Sequence, residues 1–65
     1  MFRSKSEYRA YFADVVVWLK MNYFLKRANV DQPNFSRFMK GEEYDYLISV
    51  EKLESLYRVV HEKIT

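Results

Sequence analysis

The sequence predicts an all-α fold, a compact bundle of four or five short helices that forms a single domain over residues 1–65. Apolar side chains recur every three or four residues through 8–19 and 50–64, which is the spacing of amphipathic helices. The three successive valines at 15–17 are also compatible with a buried strand, but a lone strand without a pairing partner is not stable. A chain of this length buries only about 60% of its unfolded surface, so one small core must hold it together.

Composition excludes several classes of protein. The chain contains no cysteine, so it forms no disulfide and offers no thiolate metal site, which fits a reducing cytoplasm. No apolar run approaches the ~20 residues of a membrane span. The opening MFRSKSEYRAYF is too polar for a signal peptide. Apolar residues make up 49% of the chain, which argues against intrinsic disorder.

The net charge of +2 hides an uneven distribution of charge along the chain. Residues 1–41 carry eight basic and three acidic side chains, a balance of +5, whereas residues 42–65 carry three basic and six acidic ones, a balance of −3. A basic end beside an acidic end favours a polyanion as the partner of the basic end. Ordinary scatter of charge in a small chain is the alternative interpretation.

The first helix is expected from about Glu7 to about Leu19. Ser4 and Glu7 have the spacing of a capping box, and Ser6 is an equally good N-cap. The helical spacing selects Tyr8, Tyr11, Phe12, Val15, Val16 and Leu19 as its core side, with Val17 and Trp18 extending the apolar surface.

A second helix is expected over 21–28, followed by a tight turn. Near its end, Asn29 is the only residue that adopts a positive φ at low steric cost, so we expect Asn29 to end the helix. Val30 then supplies an apolar side chain that holds the turn against the core.

A third helix is expected over 32–40. Asp31 is a good N-cap, because its carboxylate can accept hydrogen bonds from the free amides of the first turn. Pro33 falls in that turn, where its missing N–H costs nothing, and Gly41 is expected to end the helix. At about 100° per residue, the apolar side is Phe35, Phe38 and Met39, and the opposite side is Pro33, Arg37 and Lys40, with Asn34 and Ser36 on the flanks and Gln32 at the open end.

A linker over 41–49 precedes the fourth helix, which has the clearest pattern in the chain. Ser49 is expected to cap it, and Ile48 before the cap can pack against Leu53. Its apolar stripe consists of Val50, Leu53, Leu56, Tyr57, Val60 and Ile64. The tyrosines exceed what one small core needs to bury, so some of them are expected on a self-association or partner surface: Tyr8, Tyr23, Tyr44, Tyr46 and Tyr57.

Residues 21–41 thus predict two short helices joined by a tight turn, the second with a cationic outer face. This is the layout of a helix-turn-helix that reads the major groove of DNA. Gln and Asn bond an adenine edge, Arg bonds guanine, and Pro can contact a thymine methyl. The candidate base-reading residues are Gln32, Pro33, Asn34 and Arg37, and the candidate phosphate contacts are Lys26, Arg27, Ser36 and Lys40. The alternative is an ordinary surface helix that carries the same polar residues.

The stretch FLKRANVDQPNFSRFMKG, residues 24–41, resembles the core of the Cro/C1-type (lambda-repressor-like) helix-turn-helix family. One helix before it and one after it also fit the family. Asn29 stands where the family usually has Gly, and Met21 and Asn22 stand where it often has a Gln that grips phosphate. The residues that match the family pattern are Phe24, Lys26, Arg27, Ala28, Val30, Phe35, Ser36, Arg37, Phe38 and Gly41.

The resemblance implies a short Cro-like transcriptional regulator, such as a repressor, encoded by a bacterium, phage or mobile element and bound to DNA in the cytoplasm. Members of the family usually dimerise on a near-palindromic site with half-sites about 34 Å apart. A homodimer that uses the fourth helix and its tyrosines is therefore expected. The alternative is a protein-binding use of the same fold, as an antirepressor or adaptor, because Asp31 and the acidic linker residues Glu42, Glu43 and Asp45 repel phosphate.

No enzymatic site, cofactor or small-molecule ligand is expected. His61 is the only histidine, and without cysteines it cannot belong to a His/Cys metal cluster. Gly41 is the only glycine, which excludes a glycine-rich phosphate loop or oxyanion loop. A Ser-His-acid catalytic triad could be written with Ser36 or Ser55 and His61, but nothing in the spacing of these residues supports it.

Overall fold

The computed structural model describes residues 4–16 and 19–64, and within them the fold is all-α, as the sequence predicts. The elements in chain order are α1 Lys5–Val15, α2 Met21–Arg27, α3 Gln32–Phe38, a 3₁₀ helix Glu42–Leu47 and α4 Val50–Ile64. No strand occurs in this described part of the chain. The Cα radius of gyration is 10.5 Å, close to the ~11 Å of a compact domain of this length.

A single core joins the helices. Its largest fully buried side chains are Tyr8, Phe12, Phe38, Leu53, Leu56 and Val60. The ring of Phe12 on α1 meets the ring of Phe35 on α3 edge to face, with centroids 5.8 Å apart. The apolar side of α4 packs against both α1 and α2. Hydrophobic burial by these side chains is therefore what gathers four short helices around one centre.

The start of α1 follows the sequence prediction, but its end does not. Ser4 is the N-cap, and a capping box forms, because Ser4 Oγ accepts from the Glu7 N–H at 3.4 Å while Ser4 N–H donates to Glu7 Oε1 at 3.1 Å. The helix ends at Val15, short of the expected Leu19, at the point where β-branched residues begin. Val16 is 40% exposed, so its predicted core position is wrong. Val17, Trp18 and the side chain of Ile64 lie outside the described residues.

The segment expected to be a plain linker contains the acidic 3₁₀ helix Glu42–Leu47. Two basic side chains of α1 hold it in place. Lys5 Nζ donates to the Asp45 carbonyl at 2.7 Å. The Arg9 guanidinium forms an ion pair with the Asp45 carboxylate and donates to the Gly41 carbonyl at 3.0 Å. Part of the positive charge counted in the basic half of the sequence is therefore neutralised inside the fold.

The cap of α4 is confirmed, since Ser49 Oγ accepts from the Lys52 N–H at 3.3 Å. Val50, which the sequence places on the apolar stripe, is 52% exposed instead, because it occupies the first turn at the edge of that stripe. Tyr8 is 1% exposed, and its hydroxyl donates to Glu54 Oε1 at 2.6 Å. Tyr8 is thus a core residue and cannot belong to a partner surface.

Candidate nucleic-acid interface

The turn after α2 has the backbone hydrogen bonds of a Schellman motif. Asn29 has a φ of 59°, the only positive φ of a non-glycine residue in the described chain. Its N–H donates to the Lys26 carbonyl at 3.2 Å, and the Val30 N–H donates to the Leu25 carbonyl at 2.8 Å. Val30 and Leu25 both belong to the buried core. The expectation that Asn29 ends the helix at a positive φ is confirmed.

Lys52 on α4 holds the same turn from outside. Its Nζ donates to the Asn29 carbonyl at 2.6 Å, which ties the left-handed residue to a helix 23 positions further along the chain. Lys52 lies outside the apolar stripe predicted for this helix, and the sequence did not indicate this contact. A lysine on a solvated helix face carries no local signal for a contact of this kind.

The start of α3 differs from the expected cap in one respect. Asp31 is the N-cap, with the Phe35 N–H donating to its carbonyl at 2.9 Å, but its carboxylate makes no capping hydrogen bond. Pro33 lies in the first turn, as predicted. Because an N-cap side chain bonds the second or third amide of a helix, the proline removes one of the two donors that Asp31 could use.

The two sides of α3 have different environments. Phe35 and Phe38 are buried in the core, and Met39 packs against them. The exposed residues on the outer side are Gln32, Pro33, Ser36, Arg37 and Lys40. Asn34 is only half exposed and lines a small polar pocket with Asn29, Asp31 and Lys52. Asn34 is therefore less exposed than the other candidate base-reading residues, Gln32, Pro33 and Arg37.

The C-terminal end of α3 lies before Lys40 and Gly41 and is contacted by Arg9, so the expected glycine stop is wrong. The helix ends at Phe38, where Arg9 Nε donates to the carbonyl at 2.8 Å and the guanidinium lies 4.5 Å from the ring centroid. Gly41 has extended backbone with a φ of 164°. Lys40 consequently lies just beyond the helix, with its N–H donating to the Arg37 carbonyl at 2.9 Å.

The two cations at the end of α2 point to different sides of the helix. Lys26 lines an open groove with Asn22, Gln32 and Pro33, beside the outer side of α3. Arg27 turns to Tyr23, with Nη1 3.4 Å from the phenol oxygen and its guanidinium carbon 5.9 Å from the ring centroid. Of the candidate phosphate contacts on α2, only Lys26 therefore lies next to the outer side of α3.

The surface formed by Lys26, Gln32, Pro33, Arg37 and Lys40 is called the outer face below. Its three cations are exposed, and the exposed carboxylate of Asp31 stands at its edge. Its side chains offer amide and guanidinium groups, which bond base edges, together with ammonium groups, which attract phosphate.

The described residues, 4–16 and 19–64, bear on two other kinds of site. No group of three or more histidine, aspartate or glutamate side chains there is arranged to hold a metal ion. None of the helices described there is long and apolar enough to cross a membrane.

Comparisons with protein-family models, with curated proteins and with solved structures found no match to this chain. Fold class alone does not define an activity, since one fold hosts many functions. Functional conclusions therefore rest on the chemistry of the outer face.

Proposed function

We propose that this protein is a small sequence-specific DNA-binding regulator in which α2 and α3 act as a helix-turn-helix and α3 enters the major groove. The observation that carries the proposal is the outer face, where Gln32 and Arg37 are exposed on α3 and Gln32 lines a groove with Lys26 of α2. Glutamine and arginine are the side chains best suited to bond adenine and guanine edges. A firm core beneath them, Phe35 and Phe38, keeps that face in a fixed orientation.

The spacing of the two polar anchors suits duplex DNA. Gln32 and Arg37 are five residues apart, which is about 7 Å along a helix and about two base-pair steps. Pro33 lies between them and can contact a thymine methyl group. Lys26 and Lys40 flank the helix at its two ends and are assigned to the phosphate backbone.

Two of the candidate residues have a smaller part in this assignment. Asn34 faces the polar pocket beside the turn, so we assign it to the support of α3 and not to a base edge. Arg27 faces α4, so we assign it no phosphate contact. Ser36 is exposed on α3 and remains a candidate phosphate contact.

A seven-residue helix makes too few base contacts for tight specific binding by one copy. Two copies on a near-palindromic site, with half-sites about 34 Å apart, would double those contacts. The proposed regulator therefore acts as a homodimer whose occupancy follows its concentration.

A second candidate function is a protein-binding adaptor built on the same fold. One observation favours it. Lys5 and Arg9 bind Asp45 and neighbouring carbonyl oxygens within the chain, so fewer cations are left to contact phosphate. Salt dependence separates the two functions. Phosphate contacts give a steep loss of affinity with salt, whereas a mostly apolar protein interface does not.

The experiment that tests the proposal is selection of binding sites from random duplex DNA at two salt concentrations, followed by affinity measurements on the enriched site. Arg37→Ala should weaken binding to that site by about 10- to 100-fold, and the preference for guanine at one position should disappear. Arg58→Ala is the matched control, since Arg58 is 69% exposed on α4 and should leave binding unchanged. Failure to enrich any motif, or equal binding by the two variants, would contradict the proposal.

A further inference from the structure

We propose that a second copy of this chain docks on the groove between α2 and the C-terminal part of α4, in a two-fold symmetric contact. The groove is lined by Tyr23, Phe24, Arg27, Val59, Glu62 and Lys63. This inference deepens the proposed function, because it names the surface that would bring two α3 helices to one DNA site.

Tyr23 is the aromatic anchor of this groove. It is 57% exposed, and the other large hydrophobic side chains of comparable exposure in the described residues, Val16, Tyr46 and Val50, do not line the groove. Its ring is held edge to face against Phe24 with centroids 5.2 Å apart, and Arg27 lies over it. A fixed tyrosine beside an arginine is the composition enriched at the centre of protein interfaces.

One pair of opposite charges lies across the groove. Arg27 is on the α2 wall, and the α4 wall carries Glu62 together with Lys63. The only ion pairs between side chains of the described residues are Arg9–Asp45 and Arg58–Glu54, so Arg27 and Glu62 are not paired with each other within one chain. In a two-fold contact whose axis runs along the groove, each wall faces the opposite wall of the other copy, so Arg27 of each chain can meet Glu62 of the other.

The groove and the outer face lie on different sides of α2. Tyr23 and Arg27 line the groove beside α4, whereas Asn22 and Lys26 line the groove beside α3. A copy docked on the α4 side therefore leaves the outer face open.

Charge reversal tests the contact without DNA. Sedimentation equilibrium of the full chain, from micromolar to millimolar concentration, should show a monomer–dimer equilibrium. Arg27→Glu and Glu62→Arg should each weaken self-association by about tenfold or more, because like charges then face each other. An equimolar mixture of the two variants should recover the dimer, because one ion pair keeps the charges of the unmodified chain and the other re-forms with its charges reversed. Arg37→Glu, the same charge change on the outer face, should dimerise like the unmodified chain.

Circular dichroism of each variant confirms that a loss of dimer is not a loss of folding. A strictly monomeric unmodified chain would overturn the inference, and so would a mixture that stays monomeric while each variant is folded. Failure of the DNA selection leaves this result untouched, since no DNA is present. Conversely, a chain that enriches a DNA motif but shows no dimer overturns only the docking surface.

Discussion

Replacing Asn29 by valine tests the turn that orients α3. Asn29 has a φ of 59°, and both hydrogen bonds that close the turn depend on this left-handed backbone. Its side chain is exposed, so the substitution removes no core packing. The expected effect therefore comes from the backbone alone.

The magnitude follows from the cost of the left-handed region. An ordinary L-residue pays about 1–2 kcal/mol there, and a β-branched residue stands at the upper end of that range, whereas asparagine tolerates it better. We expect Asn29→Val to lower the free energy of unfolding by about 2 kcal/mol. A domain of this length has a total of roughly 3–10 kcal/mol, so the loss is a large fraction of it. Asn29→Gly, which pays no such cost, should be neutral or slightly stabilising.

The assay is urea and thermal unfolding followed by circular dichroism. A loss of about 2 kcal/mol should lower the melting temperature by roughly 8–16 °C. Asn22→Val is the matched control, because Asn22 is exposed within α2 and asparagine and valine have similar helix propensities. Its unfolding free energy should stay within about 0.5 kcal/mol of the unmodified chain.

Two results would refute this reasoning. One is a cost at position 29 no larger than the cost of the same valine at position 22. The other is a glycine at position 29 that destabilises the protein by more than about 1 kcal/mol, since glycine should fit the left-handed conformation best. Either result would mean that the turn does not hold the observed backbone in solution.

Two further predictions concern contacts between distant parts of the chain. The hydrogen bond from Tyr8 lowers the pKa of Glu54 in the folded protein. The stability from this bond is therefore fully present above the unfolded pKa near 4.5 and is lost as the pH falls from there through the lowered folded pKa. Tyr8→Phe should therefore cost about 1 kcal/mol at pH 7, measured by urea unfolding, and flatten the acid limb of the stability profile, while the exposed Tyr46→Phe should change neither. Lys52→Met keeps the apolar stem but loses the donor to the Asn29 carbonyl, and should lower the unfolding free energy by about 0.5–1 kcal/mol and weaken DNA binding more than Arg58→Ala does. If the unfolding free energy of Lys52→Met is within error of that of the unmodified chain, the Lys52–Asn29 contact is not maintained in solution.

Local signals accounted for the starts of α1, α3 and α4 and for the end of α2. Ser4, Asn29, Pro33 and Ser49 stand where the sequence places them, because a cap or a left-handed residue acts through atoms three to five positions away. The apolar sides of α3 and α4 were also predictable, since their period is that of the helix itself. The end of α1 was not, because β-branched residues are compatible with the end of a helix as well as with its interior.

For the candidate site, the sequence identified the residue types of the outer face but not their grouping. Gln32, Pro33 and Arg37 are exposed on α3. Asn34 instead lines a pocket with a residue from the start of α4, and Arg27 lines a groove with residues from the end of α4. Side-chain direction depends on which helices pack alongside. That choice is made by the whole core and has no signature in one short stretch of sequence.

What the sequence by itself determined is the all-α class, the order of the helices and the turn at Asn29, because these follow from hydrogen bonds and apolar periods within a few residues. What only the tertiary structure decided is which charges remain on the surface. Arg9 contacts the end of α3, which lies 29 positions later in the chain, and Lys52 contacts the turn, which lies 23 positions earlier. The physical reason is that packing brings helix-end carbonyls, which have no partner within their own helix, beside long cationic side chains that can donate to them from the other end of the chain.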